Sequence, residues 1–110
     1  MGLITSSIRL MYLNQSRLDL EYKIQLITQS KMSLSQSTSD LMQVGTDYDP
    51  ESPVAKMLNQ RQAKLKVLEQ KLDQQLQQYQ LRLRMIESEY QSCLEIINRN
   101  MERSFSYTLR

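Results

Sequence analysis

Apolar positions recur at steps of three and four residues over most of the chain, which is the period of one face of an α-helix. In the first half this row consists of Leu10, Leu13, Leu20, Ile24, Ile27, Leu34 and Leu41. Polar residues fill its missing steps, namely Arg17, Lys31 and Thr38. A second apolar row lies beside the first and consists of Ile4, Ile8, Met11, Leu18, Tyr22 and Met32. The pattern predicts a long first helix that is apolar on two flanks and packs against more than one neighbour.

The second half carries one long apolar row. It consists of Leu65, Leu68, Leu72, Leu76, Tyr79, Leu83, Ile86, Tyr90, Leu94, Ile97 and Met101. Its mean step is that of a straight α-helix, about 3.6 residues, and an eleven-residue repeat links Leu68, Tyr79, Tyr90 and Met101. The spacing predicts a straight or slightly right-handed path for the second helix instead of the left-handed supercoil of a strict heptad. We expect the subunit-packing surface to include Leu68, Leu72, Tyr79, Leu83, Tyr90, Leu94 and Met101.

The helix-breaking residues are concentrated between these two halves. Both prolines of the chain, Pro50 and Pro53, lie in the segment "DYDPESP", and Gly45 lies just upstream. Gly45 is predicted to close the first helix in the left-handed conformation. Ser52 is predicted to cap the second helix with Pro53 at its first position, and Asp49 with Pro50 offers the same chemistry three residues earlier. The serine-rich stretch "SLSQSTSDLM" predicts fraying or a bend toward the end of the first helix.

The resulting fold prediction is an all-α, coiled-coil-like hairpin of two long antiparallel helices that packs into a larger helical assembly. Its single domain comprises a first helix over residues 3–44, a turn over 45–52, a second helix over 53–104 and a tail over 105–110. In the tail, "RSFSYTLR", aromatic and polar residues alternate, which predicts an extended or frayed end. Phe105 and Tyr107 are its candidate docking residues.

The size of the chain limits what such a hairpin can bury. A compact protein of 110 residues buries roughly two-thirds of its unfolded surface, which two helices alone do not achieve. The net charge of +2 divides into −2 for residues 1–53, with four basic and six acidic residues, and +4 for residues 54–110, with ten and six. No cluster of basic residues interleaved with aromatics is present, so we do not expect nucleic-acid binding.

The sequence also lacks membrane and export signatures. No stretch approaches the ~18 consecutive apolar residues of a membrane span, and the start lacks the layout of a cleavable signal peptide. Met1, Gly2 and Ser6 fit the short myristoylation pattern. Because chance often produces that pattern, we assign the apolar residues that follow it to a helix face.

Residue types that support catalysis or metal binding are scarce. The chain has no His and a single cysteine, Cys93, so it has no intramolecular disulfide and no common zinc site. Cys93 lies among apolar residues at helical spacing and is expected to be a small buried residue rather than a reactive thiol. Two glycines are too few for a phosphate-binding loop. We therefore expect no catalytic residues, no metal and no cofactor.

The acidic turn has a partial likeness to a calcium loop. Asp47, Asp49 and Glu51 alternate, but the sixth and twelfth positions are Ser52 and Leu58 instead of the glycine and glutamate of an EF-hand. An acidic helix-capping turn is the simpler interpretation.

The chain combines a long first helix with a longer second helix, and three segments mark its start, its turn and the approach to its end: "MGLITSS", "DPESP" and "INRNMERSF". This arrangement resembles the axial subunits of bacterial flagellar and type III secretion systems, such as needle and filament proteins. The chain is longer than a typical needle subunit and lacks the variable domain of large flagellins. The resemblance implies export in an unfolded state, partners that include an export chaperone or secretion apparatus, and assembly with both termini buried in the filament wall.

The leading functional prediction is a structural, self-assembling subunit of a filament or appendage, located outside the cell after export and partnered by copies of itself. The alternative is a small cytoplasmic adaptor or secretion chaperone that acts as a soluble dimer. Methionines suit the adaptable surface of such an adaptor, and the candidates are Met11, Met32, Met42, Met57, Met85 and Met101. A coiled-coil scaffold inside a larger machine or virion is a third possibility.

Overall fold

The computed structural model of the protein describes residues 2–109, with side chains from residue 2 to residue 106. Two helices, α1 (Leu3–Gly45) and α2 (Pro53–Leu109), make up nearly all of this part of the chain. Residues 46–52 join them, and no strand occurs among the described residues. The prediction of an all-α helical hairpin is therefore confirmed.

Residue contacts divide the hairpin into two compact units. Unit 1 combines Met1–Lys23 with Tyr79–Arg110, and unit 2 is Ile24–Gln78. Each unit contains one segment of α1 and one of α2, and unit 2 also contains the turn. The units are described separately below.

In unit 1, one row of shielded positions on each helix alternates in steps of three and four. On α1 the row is Ser6, Leu10, Leu13, Arg17 and Leu20, flanked by the half-buried Ser7, Asn14 and Ser16. On α2 the row is Tyr79, Leu83, Ile86, Tyr90, Cys93, Ile97 and Asn100, flanked by the half-buried Leu94 and Ile96. Strict alternation of this kind is the heptad repeat of 3.5 residues, which keeps one face of a helix turned toward its neighbour.

Unit 2 follows the same rule. The shielded α1 positions are Ile24, Ile27, Lys31, Leu34, Thr38 and Leu41. On α2 the row is Ala55, Leu58, Gln62, Leu65, Glu69, Leu72 and Leu76, flanked by the half-buried Asp73. Every member of the first predicted α1 row, including its polar steps, is thus on the shielded face of α1.

Nine of the eleven members of the predicted α2 row are shielded within the hairpin, and the two exceptions are Leu68 and Met101. Leu68 and Met101 are 49% and 55% exposed, and the shielded steps nearest to them are the polar residues Glu69 and Asn100. Cys93 is buried, whereas Leu94, the member of the predicted row next to it, is only half-buried. The apolar residues drift away from the face that α2 turns toward α1, because that face must repeat every 3.5 residues to stay in contact.

The end of α1 differs from the predicted left-handed closure. Gly45 is the last helical residue, and no glycine in the described chain has a positive φ. The N–H groups of Thr46 and Asp47 donate to the carbonyls of Gln43 and Val44, each at 3.3 Å. These short-range bonds satisfy the carbonyls of Gln43 and Val44 without a left-handed residue.

The start of α2 is capped as the sequence predicts. Ser52 Oγ accepts a hydrogen bond from the Ala55 N–H at 3.2 Å, and Pro53 is the first helical residue. Just before it, the Ser52 N–H donates to the Asp49 carbonyl at 3.0 Å, which closes a β-turn with Pro50 at its second position. Asp49 Oδ1 accepts from the Glu51 N–H at 3.3 Å, an Asx turn that stabilises the same bend.

The serine-rich segment does not interrupt α1, which is assigned as continuous helix to Gly45. Several hydroxyls in α1 donate to the carbonyl four residues earlier, at 2.8–3.1 Å, and they belong to Thr28, Ser30, Ser37 and Thr38. These bonds satisfy the hydroxyls without removing the helical ladder.

The predicted extended tail is also corrected. α2 continues past residue 104 to Leu109. The segment contains no glycine or proline, and extending an existing helix by one residue needs no new nucleus. Local alternation of aromatic and polar residues was therefore outweighed by propagation of the helix.

Candidate interaction surface

The inner face of unit 1 joins α1 and α2 through polar and apolar contacts. Leu13, Leu20 and Cys93 are buried, and the Cys93 thiol donates to the Ser6 carbonyl at 3.2 Å. Arg9 Nη2 lies 3.1 Å from Glu89 Oε2, with both side chains about half exposed. The burial of Cys93 agrees with its expected packing role.

Arg17 occupies a position on the shielded face that a coiled coil normally gives to an apolar residue. Its guanidinium lies 5.0 Å from the centroid of the Tyr90 ring, and its Nη2 donates to Asn14 Oδ1 at 2.7 Å. Arg17 Nε and Ser6 Oγ are buried and have no hydrogen-bond partner among the described residues. The inner face of unit 1 therefore combines a cation–π contact with two unsatisfied polar atoms.

The second apolar row of α1 is exposed. Within unit 1 we name its members the outer row: Ile4 (78% exposed), Ile8 (62%), Met11 (70%), Leu18 (50%) and Tyr22 (60%). Single exposed apolar residues are normal on proteins, but several exposed apolar residues along one face of a helix are typical of an interaction site. The outer row is the candidate functional surface of the protein.

Most charged side chains beside the outer row form ion pairs within the chain. Two cations of α1 lie near the ends of the outer row. Arg9 pairs with Glu89, and the Nζ of Lys23 lies 3.1 Å from Asp19 Oδ2. Lys23 also lies 5.9 Å from the centroid of the Tyr79 ring. Glu21 is exposed and has no ion-pair partner in the described part of the chain. The outer row is therefore apolar with one unpaired negative charge next to Tyr22.

Unit 2 has its own inner contact and its own exposed patch. Lys31 forms an ion pair with Asp73 across the two helices. On α2, a shallow and almost wholly apolar depression is lined by Ala63, Lys64, Val67 and Leu68. The surrounding segment exposes five cations, namely Lys56, Arg61, Lys64, Lys66 and Lys71.

The predicted packing residues of α2 separate into two groups. Five of them are half-buried within the hairpin: Leu72, Tyr79, Leu83, Tyr90 and Leu94. Leu68, Met101 and the predicted docking residue Phe105 are exposed, Phe105 by 67%. The side chain of Tyr107 lies outside the described residues. Contacts with other subunits stay a prediction for all of them.

Sequence reasoning missed two buried positions, Ser6 and Ala55. Ser6 lies one regular step of four before the predicted Leu10, and Ala55 lies three regular steps, of three, four and three residues, before the predicted Leu65. Continuing the three-and-four alternation irrespective of side-chain polarity would have found both.

Signs of catalytic or metal chemistry are limited. The described residues contain no group of three or more His, Cys, Asp or Glu side chains placed to hold a metal ion. A second shallow depression, in unit 1, is lined by Arg17, Arg84, Glu87, Ser88, Tyr90 and Gln91. Across the described chain, neither helix has a segment that is both apolar and long enough to span a bilayer.

Comparison with protein-family models, with curated proteins and with solved structures gave no match. The resemblance to axial subunits of secretion systems therefore stays a prediction, and the interaction surface has to be interpreted from its own chemistry.

Proposed function

We propose that the protein is a non-enzymatic structural subunit whose copies assemble into a filament or appendage. The observation that carries this proposal is the outer row of α1, where apolar side chains stay exposed although the hairpin is complete. Burying apolar surface contributes about 25 cal/mol per Å², so covering this strip favours association. Copies of the chain that meet through contacts which do not close form helical filaments.

The apolar depression around Val67 and Leu68 supports growth beyond a single pair. It belongs to unit 2, whereas the outer row belongs to unit 1, so each unit has an exposed apolar surface of its own. One isologous contact closes after two copies, and a second surface allows further addition. On the resemblance to axial subunits, we further propose a bacterial source, export without a cleaved signal and a cell-surface location.

A second candidate function is a soluble dimeric adaptor or secretion chaperone with a cytoplasmic location. Its specific support is the exposure of methionine, a side chain that adapts to varied partners. The most exposed examples are Met11 at 70% and Met32 at 69%.

Negative-stain electron microscopy and light scattering over a concentration series distinguish these functions. A filament subunit gives uniform fibres above a threshold concentration, and truncation after Arg103 retains helicity while abolishing long fibres. A constant dimer mass favours the adaptor. A monomer mass at every concentration contradicts self-assembly altogether.

A further inference from the structure

The outer row has the spacing required to pack against another helix. Its members follow steps of three and four from Ile4 to Tyr22, with the exposed Gln15 filling the one polar step. This is a second heptad repeat on the same helix, offset from the shielded face of the hairpin. It covers residues 4–22, or about 27 Å at 1.5 Å per residue.

We propose that the outer row binds the outer row of a second copy, with the two α1 helices antiparallel. The proposal rests on the self-assembly proposed above and identifies its first contact. With the two-fold axis at residue 13, Ile4 faces Tyr22 of the partner subunit and Ile8 faces Leu18 of the partner subunit. In an isologous contact each pair of facing residues occurs twice. The steps between members of the outer row meet this requirement, because their order of four, three, four, three and four residues is the same in both directions along α1.

The unpaired Glu21 and the N-terminus of α1 favour this orientation. α1 has no acidic residue in its first turn, so the partial positive charge of its N-terminus lacks a nearby carboxylate on its own helix. In the antiparallel pair, Glu21 lies beside Thr5 of the partner subunit, within that first turn. The unpaired carboxylate of each copy therefore meets the positive end of the other copy's helix dipole.

A parallel pair places like charges together. The two α1 N-termini would lie side by side, and Glu21 would face Glu21 of the partner subunit. Like charges at neighbouring positions destabilise helix contacts. The same residues thus give two favourable contacts in one orientation and two unfavourable ones in the other.

Disulfide cross-linking in the full chain tests the orientation. Ile8→Cys and Leu18→Cys variants, one carrying a size tag, are mixed and oxidised, and the linked peptides are identified by mass spectrometry. Native Cys93 is 4% exposed, so the introduced thiols react first. We expect the 8–18 cross-link to form at least tenfold faster than the 8–8 and 18–18 cross-links. A Ser92→Cys variant, exposed on α2 of the same unit, is the matched control and should give only a low background rate.

Predominance of the 8–8 cross-link would overturn the antiparallel orientation. Rates no higher than the Ser92→Cys background, in a preparation that still assembles, would overturn the interface and leave the proposed function standing. A preparation that is monomeric at every concentration would remove both.

An independent measurement uses the charge variant Ile8→Lys. Lysine at this exposed helix position should leave the hairpin folded, and circular dichroism checks this. In the proposed dimer it places a charged ammonium group between the two outer rows. We expect at least a tenfold weaker dimer by sedimentation. An unchanged dissociation constant would contradict the proposed interface even if the cysteine variants fail to fold.

Discussion

The Arg17 guanidinium lies 5.0 Å from the centroid of the Tyr90 ring, which joins α1 to α2 within unit 1. A cation held over an aromatic face is stabilised by about 0.5–2 kcal/mol, depending on how far it is removed from water. Arg17 is half-buried, so the contact is partly shielded from solvent. This pair provides a direct test of the register between the two helices.

A double-mutant cycle with Arg17→Met and Tyr90→Leu should give a coupling free energy of about 0.5–1 kcal/mol. Urea unfolding at one fixed protein concentration measures each variant. Arg84 lines the same depression as Tyr90 but forms no described ring contact, so Arg84→Met is the matched control. If Arg84 and Arg17 show equal coupling free energies with Tyr90, the result contradicts the contact between Arg17 and Tyr90.

Ser6→Ala should stabilise the protein by about 1 kcal/mol. Ser6 is 1% exposed, and its hydroxyl has no described partner, so the substitution removes a buried unsatisfied group, a penalty of about 1–3 kcal/mol. The backbone carbonyl that accepts from Cys93 is retained. Ser37→Ala is the control, because the Ser37 hydroxyl is exposed and bonded to the Ser33 carbonyl. Destabilisation by Ser6→Ala would show that the hydroxyl has a buried partner, such as a water molecule.

Leu20→Ala and Leu18→Ala should separate folding from assembly. Leu20 is 6% exposed on the inner face and Leu18 is 50% exposed in the outer row. Leu20→Ala should lower the free energy of unfolding by about 2 kcal/mol, near the lower limit for buried leucines, since only one helix covers it. Leu18→Ala should leave monomer stability almost unchanged and weaken self-association. Thermal unfolding and sedimentation on the same samples measure both effects, and equal stability losses would be evidence against the exposed outer row.

Ser52→Ala should destabilise the hairpin by about 1 kcal/mol, because it removes the side-chain acceptor for the Ala55 N–H. Ser52→Asp restores an acceptor at the cap and should recover most of that loss. The measurement is the urea midpoint, with an unchanged slope as the check that the unfolding transition is the same. Equal effects of alanine and aspartate would argue against capping by Ser52.

The Lys31–Asp73 ion pair should contribute little and should depend on salt. Its side chains are 30% and 46% exposed, and partly exposed pairs contribute about 0.2–1 kcal/mol. A cycle with Lys31→Met and Asp73→Asn should therefore give a coupling in that range. The coupling should decline in 1 M salt, where the Debye length is about 3 Å. A coupling that is independent of salt would indicate that hydrogen bonding, rather than charge, dominates the pair.

Much of the fold was predictable because its signals are local. The two helices and the bend follow from helical periodicity and from the placement of Gly45, Pro50 and Pro53 in one short segment. The first apolar row of α1 was also correct in every step from Leu10 to Leu41. Its regular spacing is visible even where Arg17 or Lys31 interrupts the apolar residues.

The outer row was likewise predictable as a second apolar flank, but its exposure was not. Whether Ile4 or Ile8 is covered depends on which face of α1 the rest of the chain packs against, and the sequence pattern permits either. The structure places the other row, the one containing Leu13 and Leu20, against α2. This choice leaves the outer row as the candidate interaction surface.

By itself, the sequence determined that the chain forms two long helices, where they meet and which α1 positions lie on one face, because propensity, capping and periodicity act over a few residues. Only the tertiary structure decided which face of α2 is shielded, selecting Glu69 over Leu68 and Asn100 over Met101 and burying Cys93 next to the half-buried Leu94. It also decided that Arg17 meets Tyr90 and that Lys31 meets Asp73. These outcomes depend on the register between residues far apart in the chain. That register follows from the requirement that two packed helices keep facing each other, a constraint that no local window of sequence contains.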